Sequence, residues 1–250
     1  VKLLSIITIS YNDLSGLQFT LASSKSFDER VEWIIVDGGS TDGTQQFLSE
    51  LSGDYLFSSE PDEGLYDAMN KGLEKATGEY VIFMNSGDGF HSQHTLPNIL
   101  STLEKDKPDV LYGETMYQDE ARQNLGIRSE VTTRKLPKSL HWKMLINGML
   151  VCHQSFVAKK ELVPPYKLNN LSADYDWMIS VLKNSKTIQN AKMIIANYLI
   201  GGVSSQRKLK SLKDRFAIMV NNFGMIQTLF SHLMMIPRQL KQKITSSNSY

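Results

Sequence analysis

The chain has 250 residues, 41% of them hydrophobic and 21% charged, with a formal net charge of +1. This is an ordinary globular composition, long enough for one large α/β domain, and its charge balance gives no global reason to expect a nucleic-acid partner. The single cysteine, Cys152, excludes an internal disulfide framework and fits a reducing compartment, and no apolar run approaches the roughly 18 residues that a membrane span needs.

The opening VKLLSIITISYND carries a lysine and a short apolar run interrupted by Ser5, Thr8 and Ser10, so it reads as a strand over 4–9 and not as a signal peptide. A helix begins near Leu14 and a second strand covers 32–36. A helix over about 41–51, a short strand at 55–58, a helix over 65–76 and the strand YVIFM at 80–84 follow. This alternation predicts a doubly wound α/β half ending near Tyr112. Beyond it, residues 113–134 alternate loosely, as antiparallel strands or a hairpin do. GMLVCHQSFVAKKELV reads as a strand leading into a short helix, Asp174 to Lys183 as a helix preceded by Ser172, and MIIANYLIGGVSS as a strand ending in glycines. The expected layout is one domain over 1–205, with a nucleotide-binding half (1–112) and an acceptor-side half (113–205), followed by a tail over 206–250.

Ligands of open α/β sheets sit beyond the carboxyl ends of the strands. Polar residues stand there four times in succession: Tyr11, Asn12 and Asp13; Asp37; Glu60 and Asp62; Asn85, Ser86 and Asp88. In VDGGSTDGT, Asp37 can accept from the N–H or hydroxyl groups of a nucleotide while Gly38 and Gly39 let the ligand lie against the backbone. The alternative is a strand, a glycine turn and a helix cap. The stretch is neither a Walker loop nor a dinucleotide fingerprint. In FMNSGDGF, Asp88 can serve as a hard oxygen ligand to Mg²⁺ or Mn²⁺, or simply as a turn aspartate.

Taken together and in this order, SIITISYN, WIIVDGGSTDGT, SEPDEGLYDAMNKGLEKATGEYVIFMNSGD, HQSFVAKKELV and SADYDW resemble family 2 of the inverting glycosyltransferases, with the GT-A fold, over roughly residues 3–205. The versions EPDEGLYDAMNKG, NSGD and GGVSS are most similar to bacterial enzymes of colanic-acid, O-antigen and related surface-polysaccharide synthesis. The resemblance implies a Rossmann-like mixed sheet with an acceptor-side extension and a helical tail, a nucleotide-sugar donor and a divalent cation. Asp37 would contact the nucleobase or ribose, with a glycine, Gly38, where many relatives carry a second acid. Asp67 and Asn70 would face the donor from a helix that also carries Lys71. Tyr11, Asn12, Asp62 and Ser86 would line the same rim. Asp88 is the one acid left of a metal motif that usually holds two. Asp174 would be the catalytic base, Asp176 an acceptor contact or helix cap, and His153 and Gln154 contacts to donor phosphate or acceptor.

From Gln206 onward eight basic residues face one acid, a net of +7, and the apolar residues between them fall at helical spacing. The tail is read as lying on an anionic membrane, with a packed helix pair or a dimer contact as the alternative. A glycan acceptor on a polyprenyl diphosphate lipid, and a place on the cytoplasmic face of the membrane, make that reading coherent. Two rivals stay open: a catalytically inactive sugar-nucleotide-binding or scaffolding protein, suggested by the missing acids, and a nucleotidyltransferase. SYNDLSG lacks the Gly-rich, Arg/Lys-bearing loop that the second would need.

Overall fold

The structure, a computed structural model, describes residues 2–24, 28–53, 55–201 and 207–234. Its frame is set by strands apolar on both sides. β1 (Leu4–Ser10), β2 (Val31–Asp37), β3 (Tyr55–Ser59) and β4 (Tyr80–Phe83) run parallel in the order β3-β2-β1-β4. Successive residues of β1 enter opposite layers: Leu4 and Ile6 pack with one core cluster, Ile7 and Ile9 with the other. Such strands read as continuous apolar runs because helices cover both faces of the sheet.

On one face lie α1 (Leu14–Ala22), α2 (Thr44–Glu50) and, further along, α4 (Thr95–Asp106); on the other lie α3 (Leu65–Lys75) and α6 (Ala173–Asn184). The helix α4 was not assigned from the sequence. Its buried Leu96, Ile99, Leu100 and Leu103 nevertheless show the i, i+3, i+4, i+7 stripe, and Pro97 falls in the first turn, where a missing N–H costs nothing.

After the two-residue strand β5 (Gly89–Phe90) the sheet becomes mixed. β6 (Val110–Gln118) makes an antiparallel pair with β7 (Asn124–Ile127), as expected for a hairpin. The short helix α5 (Arg128–Val131) follows. β8 (Phe156–Lys159) lies between β4 and β6, antiparallel to both, flanked by single 3-10 turns at 153–155 and 160–162 where a strand and short helix were expected. β9 (Ile188–Leu199) runs parallel to β6 and carries β5 on its other side. The expected nucleotide-binding and acceptor-side halves therefore share one sheet.

The tail begins with α7 (Lys208–Phe223), which buries Ile218 and Met219 against α6 and the sheet. Helical residues 225–234 follow. Arg238, Lys241 and Lys243, and Gly202 to Ser205 of the expected GGVSS motif, lie outside the described residues.

At the end of the sheet opposite the polar rim, Glu32 is buried and accepts from Ser5 Oγ, Thr77 N, Thr77 Oγ1 and Gly78 N. Burial opposes its ionisation, but the hydrogen bond from Ser5 and those from Thr77 and Gly78 outweigh it, so its pKa lies below the usual value. The carboxylate ties β1, β2 and the turn before β4 together. A depressed folded pKa means stabilisation that is present above the unfolded pKa of about 4.3 and is lost as pH falls through the folded value. Glu32→Gln is expected to cost about 1.5–3 kcal/mol at pH 7, and the gap to wild type should shrink below pH ~4. Urea unfolding across pH measures it; a gap that does not change with pH would sink the assignment.

Candidate active site

The parallel strands deliver their polar ends to one rim. Asn12, with φ +48°, follows β1; its N–H donates to Ser40 Oγ (2.7 Å) and its Oδ1 accepts from Thr41 N (2.8 Å). Asparagine tolerates this left-handed conformation well. Tyr11 beside it is 67% exposed, an aromatic face left open at the rim. Asp37, at the end of β2, is fully buried. Its carboxylate accepts from Ser40 N (3.0 Å), Ser40 Oγ and Ser59 Oγ (2.6 Å). The turn reading of this acid thus has a full set of partners, and a nucleotide contact would have to add to them.

Gly38 has a different reason to be glycine from the one expected. A Cβ there would lie 2.5 Å from Asp62 Oδ2 and 3.2 Å from the Tyr11 ring. The carboxylate of Asp62 therefore stands where a side chain at residue 38 would begin. Asp62 Oδ1 also accepts from Gly64 N (2.8 Å).

Asp88 sits in the turn after β4, made possible by Gly87 at φ +88°, a conformation that disfavours a side chain. Two separate segments hold it: Gln154 Nε2 donates to Oδ2 (2.8 Å) from the 153–155 turn, and Leu199 N donates to Oδ1 (3.0 Å) from the end of β9; Ser86 beside it bonds Asp13, whose charge also reaches the site. Burial raises the Asp88 carboxyl to about 7, against the bonds from Leu199 and Gln154 and the positive charge of Arg122. Each carboxylate oxygen has one hydrogen-bond donor and so keeps a lone pair. That fits a cation held by one protein carboxylate with its remaining ligands from substrate and water, as Mg²⁺ commonly is. Among the described residues no group of three or more His, Cys, Asp or Glu side chains forms a protein-only cage.

The sequence analysis missed Arg122, which the tip of the β6–β7 hairpin brings to this turn. Its guanidinium donates to the Gly87 carbonyl and lies over the Phe19 ring at 3.8 Å.

Asp174, at the start of α6, is partly buried, and Tyr66 of α3 donates to its Oδ1 (3.2 Å), as does Tyr175 N (2.8 Å). Burial raises its pKa, opposed first by the charge of Arg215 and then by these bonds. Ser172 does not cap α6 through its side chain; its hydroxyl donates to the Ser211 carbonyl of α7. Behind Asp174 an aromatic stack stiffens the site: Tyr66 on Tyr166 at 5.4 Å, and Tyr166 on Trp177 at 5.3 Å. Tyr198 is near enough to feel the charges of both Asp88 and Asp174.

Several expected contacts have other employment here. Asn70 spends its amide on the main chain of Tyr166, donating to its carbonyl (3.0 Å) and accepting from its N–H (2.7 Å), so it clamps the loop under the aromatic stack instead of facing a donor. Asp67 accepts from Glu63 N and pairs with Lys71 (3.3 Å), whose ammonium also donates to the Pro61 carbonyl. Both shape the start of α3. His153 is buried between Phe83 and Trp177, bonded to the Tyr166 hydroxyl, and burial lowers its pKa to about 3. It has the environment of a neutral core histidine. Gln154 reaches the site only through Asp88. Asp176 pairs with Lys167 (2.7 Å) and accepts from Asn222 of α7 (3.0 Å), so it anchors the tail.

A mixed sheet whose parallel half ends in a polar rim, with a buried aspartate after the fourth strand and a carboxylate opening a helix across from it, is the organisation of a GT-A glycosyltransferase. The chain belongs to Glycosyl transferase family 2, whose model matches residues 5–163. It is 39% identical over 212 residues to an uncharacterized glycosyltransferase of Mycobacterium tuberculosis, covering 82% of this chain and 78% of that one. It is 26% identical over 185 residues to a PGL/p-HBAD biosynthesis glycosyltransferase of Mycobacterium bovis, covering 70% and 68%. Among solved structures it is similar in fold to S. aureus TarS 1-349 in complex with UDP-GlcNAc, with TM-score 0.63, 16% identity, and 88% of this chain and 67% of that chain covered. It is likewise similar to the mannosyltransferase PcManGT of Pyrobaculum calidifontis, in complex with GDP-Man and Mn2+, with TM-score 0.65, 14% identity, and 99% and 75% covered.

Proposed function

We propose that this glycosyltransferase moves a sugar from a nucleoside-diphosphate donor, with inversion, to a hydroxyl of a lipid-linked glycan in bacterial surface polysaccharide or glycolipid synthesis. The observation that carries the reading is a pair of carboxylates near Tyr198, buried Asp88 in the turn after β4 and partly buried Asp174 at the start of α6, each with its pKa raised by burial. Single displacement needs those two functions on opposite faces of the anomeric carbon. Asp174, oriented by Tyr66, accepts the proton of the acceptor hydroxyl as it attacks. A divalent cation held by Asp88 would supply positive charge to the departing nucleoside diphosphate. Arg122 adds a fixed positive charge at the same turn, and Tyr11, Asn12 and Asp62 line the part of the rim that takes the nucleoside. Donor complexes of the structural neighbours, with UDP-GlcNAc and GDP-Man, and the PGL/p-HBAD biosynthesis named for the mycobacterial relative support the reading. The scaffolding alternative loses its main support, since Asp62 supplies a carboxylate beside Gly38.

The tail supports a membrane-surface acceptor. The helix over 225–234 buries Thr228 and Ser231, with the Ser231 hydroxyl on the Ile146 carbonyl, and turns Ile226 (84% exposed), Phe230 and Leu233 outward. A helix on a water-facing surface does the reverse. Exposed Leu209, Leu212, Arg207 and Lys213 continue the surface into α7. Apolar residues rimmed by cations fit an anionic lipid interface. No helix among the described residues is long and apolar enough to cross a membrane.

Three outcomes test the reading. Asp174→Asn should cut single-turnover transfer by about 10²- to 10⁴-fold with donor affinity little changed, whereas Asp176→Asn should act through a looser tail and cost less; the reverse order would move the base to Asp176. Calorimetry of UDP and GDP should show Mn²⁺-dependent binding that Asp88→Ala abolishes, and equal metal-independent affinity in both proteins would defeat the metal role. Ile226→Ser/Phe230→Ser should lose flotation with phosphatidylglycerol vesicles at low and high salt while keeping the melting temperature, and a wild type that never floats would assign the surface to a second copy or another protein.

A further inference from the structure

The turn that carries Asp88 runs Gly87-Asp88-Gly89, and glycine loses more conformational freedom than any other residue on being fixed, so this turn needs outside support. The first half of the chain supplies part of it. Ser86 N donates to the Ile9 carbonyl (3.0 Å), Gly87 N to Thr20 Oγ1 (3.0 Å) and Asp88 N to the Asn85 carbonyl (2.9 Å). The Gly87 carbonyl is held instead from the second half, by the guanidinium of Arg122 at the tip of the β6–β7 hairpin. That tip is a closed turn: Arg122 N donates to the Asp119 carbonyl (2.9 Å), Asp119 N to the Gln123 carbonyl (3.2 Å) and Gln123 N to Asp119 Oδ1 (2.9 Å). Arg122 takes φ +63° there, the left-handed position that hairpins of this kind usually fill with glycine. Nothing in the turn itself calls for an arginine; its side-chain contacts do.

The half-buried guanidinium lies over the Phe19 ring of α1 at 3.8 Å while it bonds Gly87, so two elements of the first half fix it. The end of β9 closes on the same turn. A Cβ at Gly87 would come 3.2 Å from Leu199 Cδ2 and 3.9 Å from Arg122 Nη2. Ile200 N donates to the Gln118 carbonyl (3.0 Å), which joins this end of β9 to the hairpin, and Leu199 N is one of the two donors to Asp88. The hairpin is therefore tied to the carboxylate along two routes, through Gly87 and through β9. We propose that Arg122 is a positioning residue for Asp88: it latches the hairpin onto the 85–89 turn and holds the carboxylate oriented for a divalent cation and the donor diphosphate. It acts through Gly87 and needs no contact with the donor. The proposal rests on the reading of Asp88 as the carboxylate that holds the cation.

The test uses the full chain and does not depend on turnover. Arg122→Gly removes the latch but makes the backbone conformation favourable, so its melting temperature should stay within about 2 °C of wild type. Hydrogen exchange at the amides of 86–88 should nevertheless rise about tenfold. In calorimetry, UDP binding with Mn²⁺ is expected to weaken about 10- to 100-fold, the range for losing a group that orients a metal ligand. Arg122→Lys, which can still donate to the Gly87 carbonyl, should recover part of that loss, and UDP binding without Mn²⁺ should be the same in all three proteins. Equal losses with and without Mn²⁺ would make Arg122 a direct donor contact and overturn the positioning role. Unchanged exchange and unchanged UDP binding in the folded variant would overturn it too, as would a melting temperature lowered by more than about 5 °C with faster exchange throughout the chain. If wild-type UDP binding is indifferent to Mn²⁺ and exchange at 86–88 still rises in Arg122→Gly, the metal reading of Asp88 fails and the latch stands.

Discussion

A carboxylate taken out of water must be repaid by donors or by a cation, and that constraint sorts the acids of this chain into roles. Asp37 receives three hydrogen bonds from Ser40 and Ser59, Glu32 receives four from Ser5, Thr77 and Gly78, and Asp176 has Lys167 and Asn222. These acids find their partners within the fold itself. Asp88 and Asp174 are buried more deeply than their donors compensate, and both titrate above the usual carboxylate range. The remaining capacity of these two groups is what makes the site chemical, since perturbed acids in a cleft are the ones free to meet a cation or a proton.

The same logic explains how far the sequence could be read. The parallel strands, their polar ends and the hairpin were legible because period and turn residues are local properties, and Asp88 and Asp174 stood out because they follow or open a regular element. The partners of Asn70 and His153 could not be read because they lie far away in the chain, at Tyr166, which no local pattern encodes. Arg122 escaped notice for the converse reason. It stands in a stretch with no motif, and only the antiparallel return of β6–β7 brings it to the turn after β4. Tyr66 was in plain view inside GLYDAMNKG, yet its role depends on α6 being packed against α3. The stripe of α4 could have been found from spacing alone.

The tail is joined to the chemistry more closely than a boundary near residue 205 would suggest. Leu171 N donates to Asp214, Ser172 bonds Ser211, and Asn222 reaches Asp176, so α7 grips α6 at the turn that carries Asp174. On the proposed reading, movement of α7 on a membrane surface would reach Asp174 through these contacts. The helix proposed to meet the interface would then also hold the proposed base.

The insertion of β8 between β4 and β6 also matters while the chain is being made. Until residues 156–159 have left the ribosome, the fully apolar edge of β4, Tyr80 to Phe83, has no partner on that side, although β1, β2 and β3 can already pair with one another and with it. Synthesis at about 5–20 residues per second leaves that edge open for several seconds, and open apolar edges are where nascent chains pair with the wrong neighbour. The order in which the strands are made thus leaves this central edge to be closed late, by a strand of the second half of the chain.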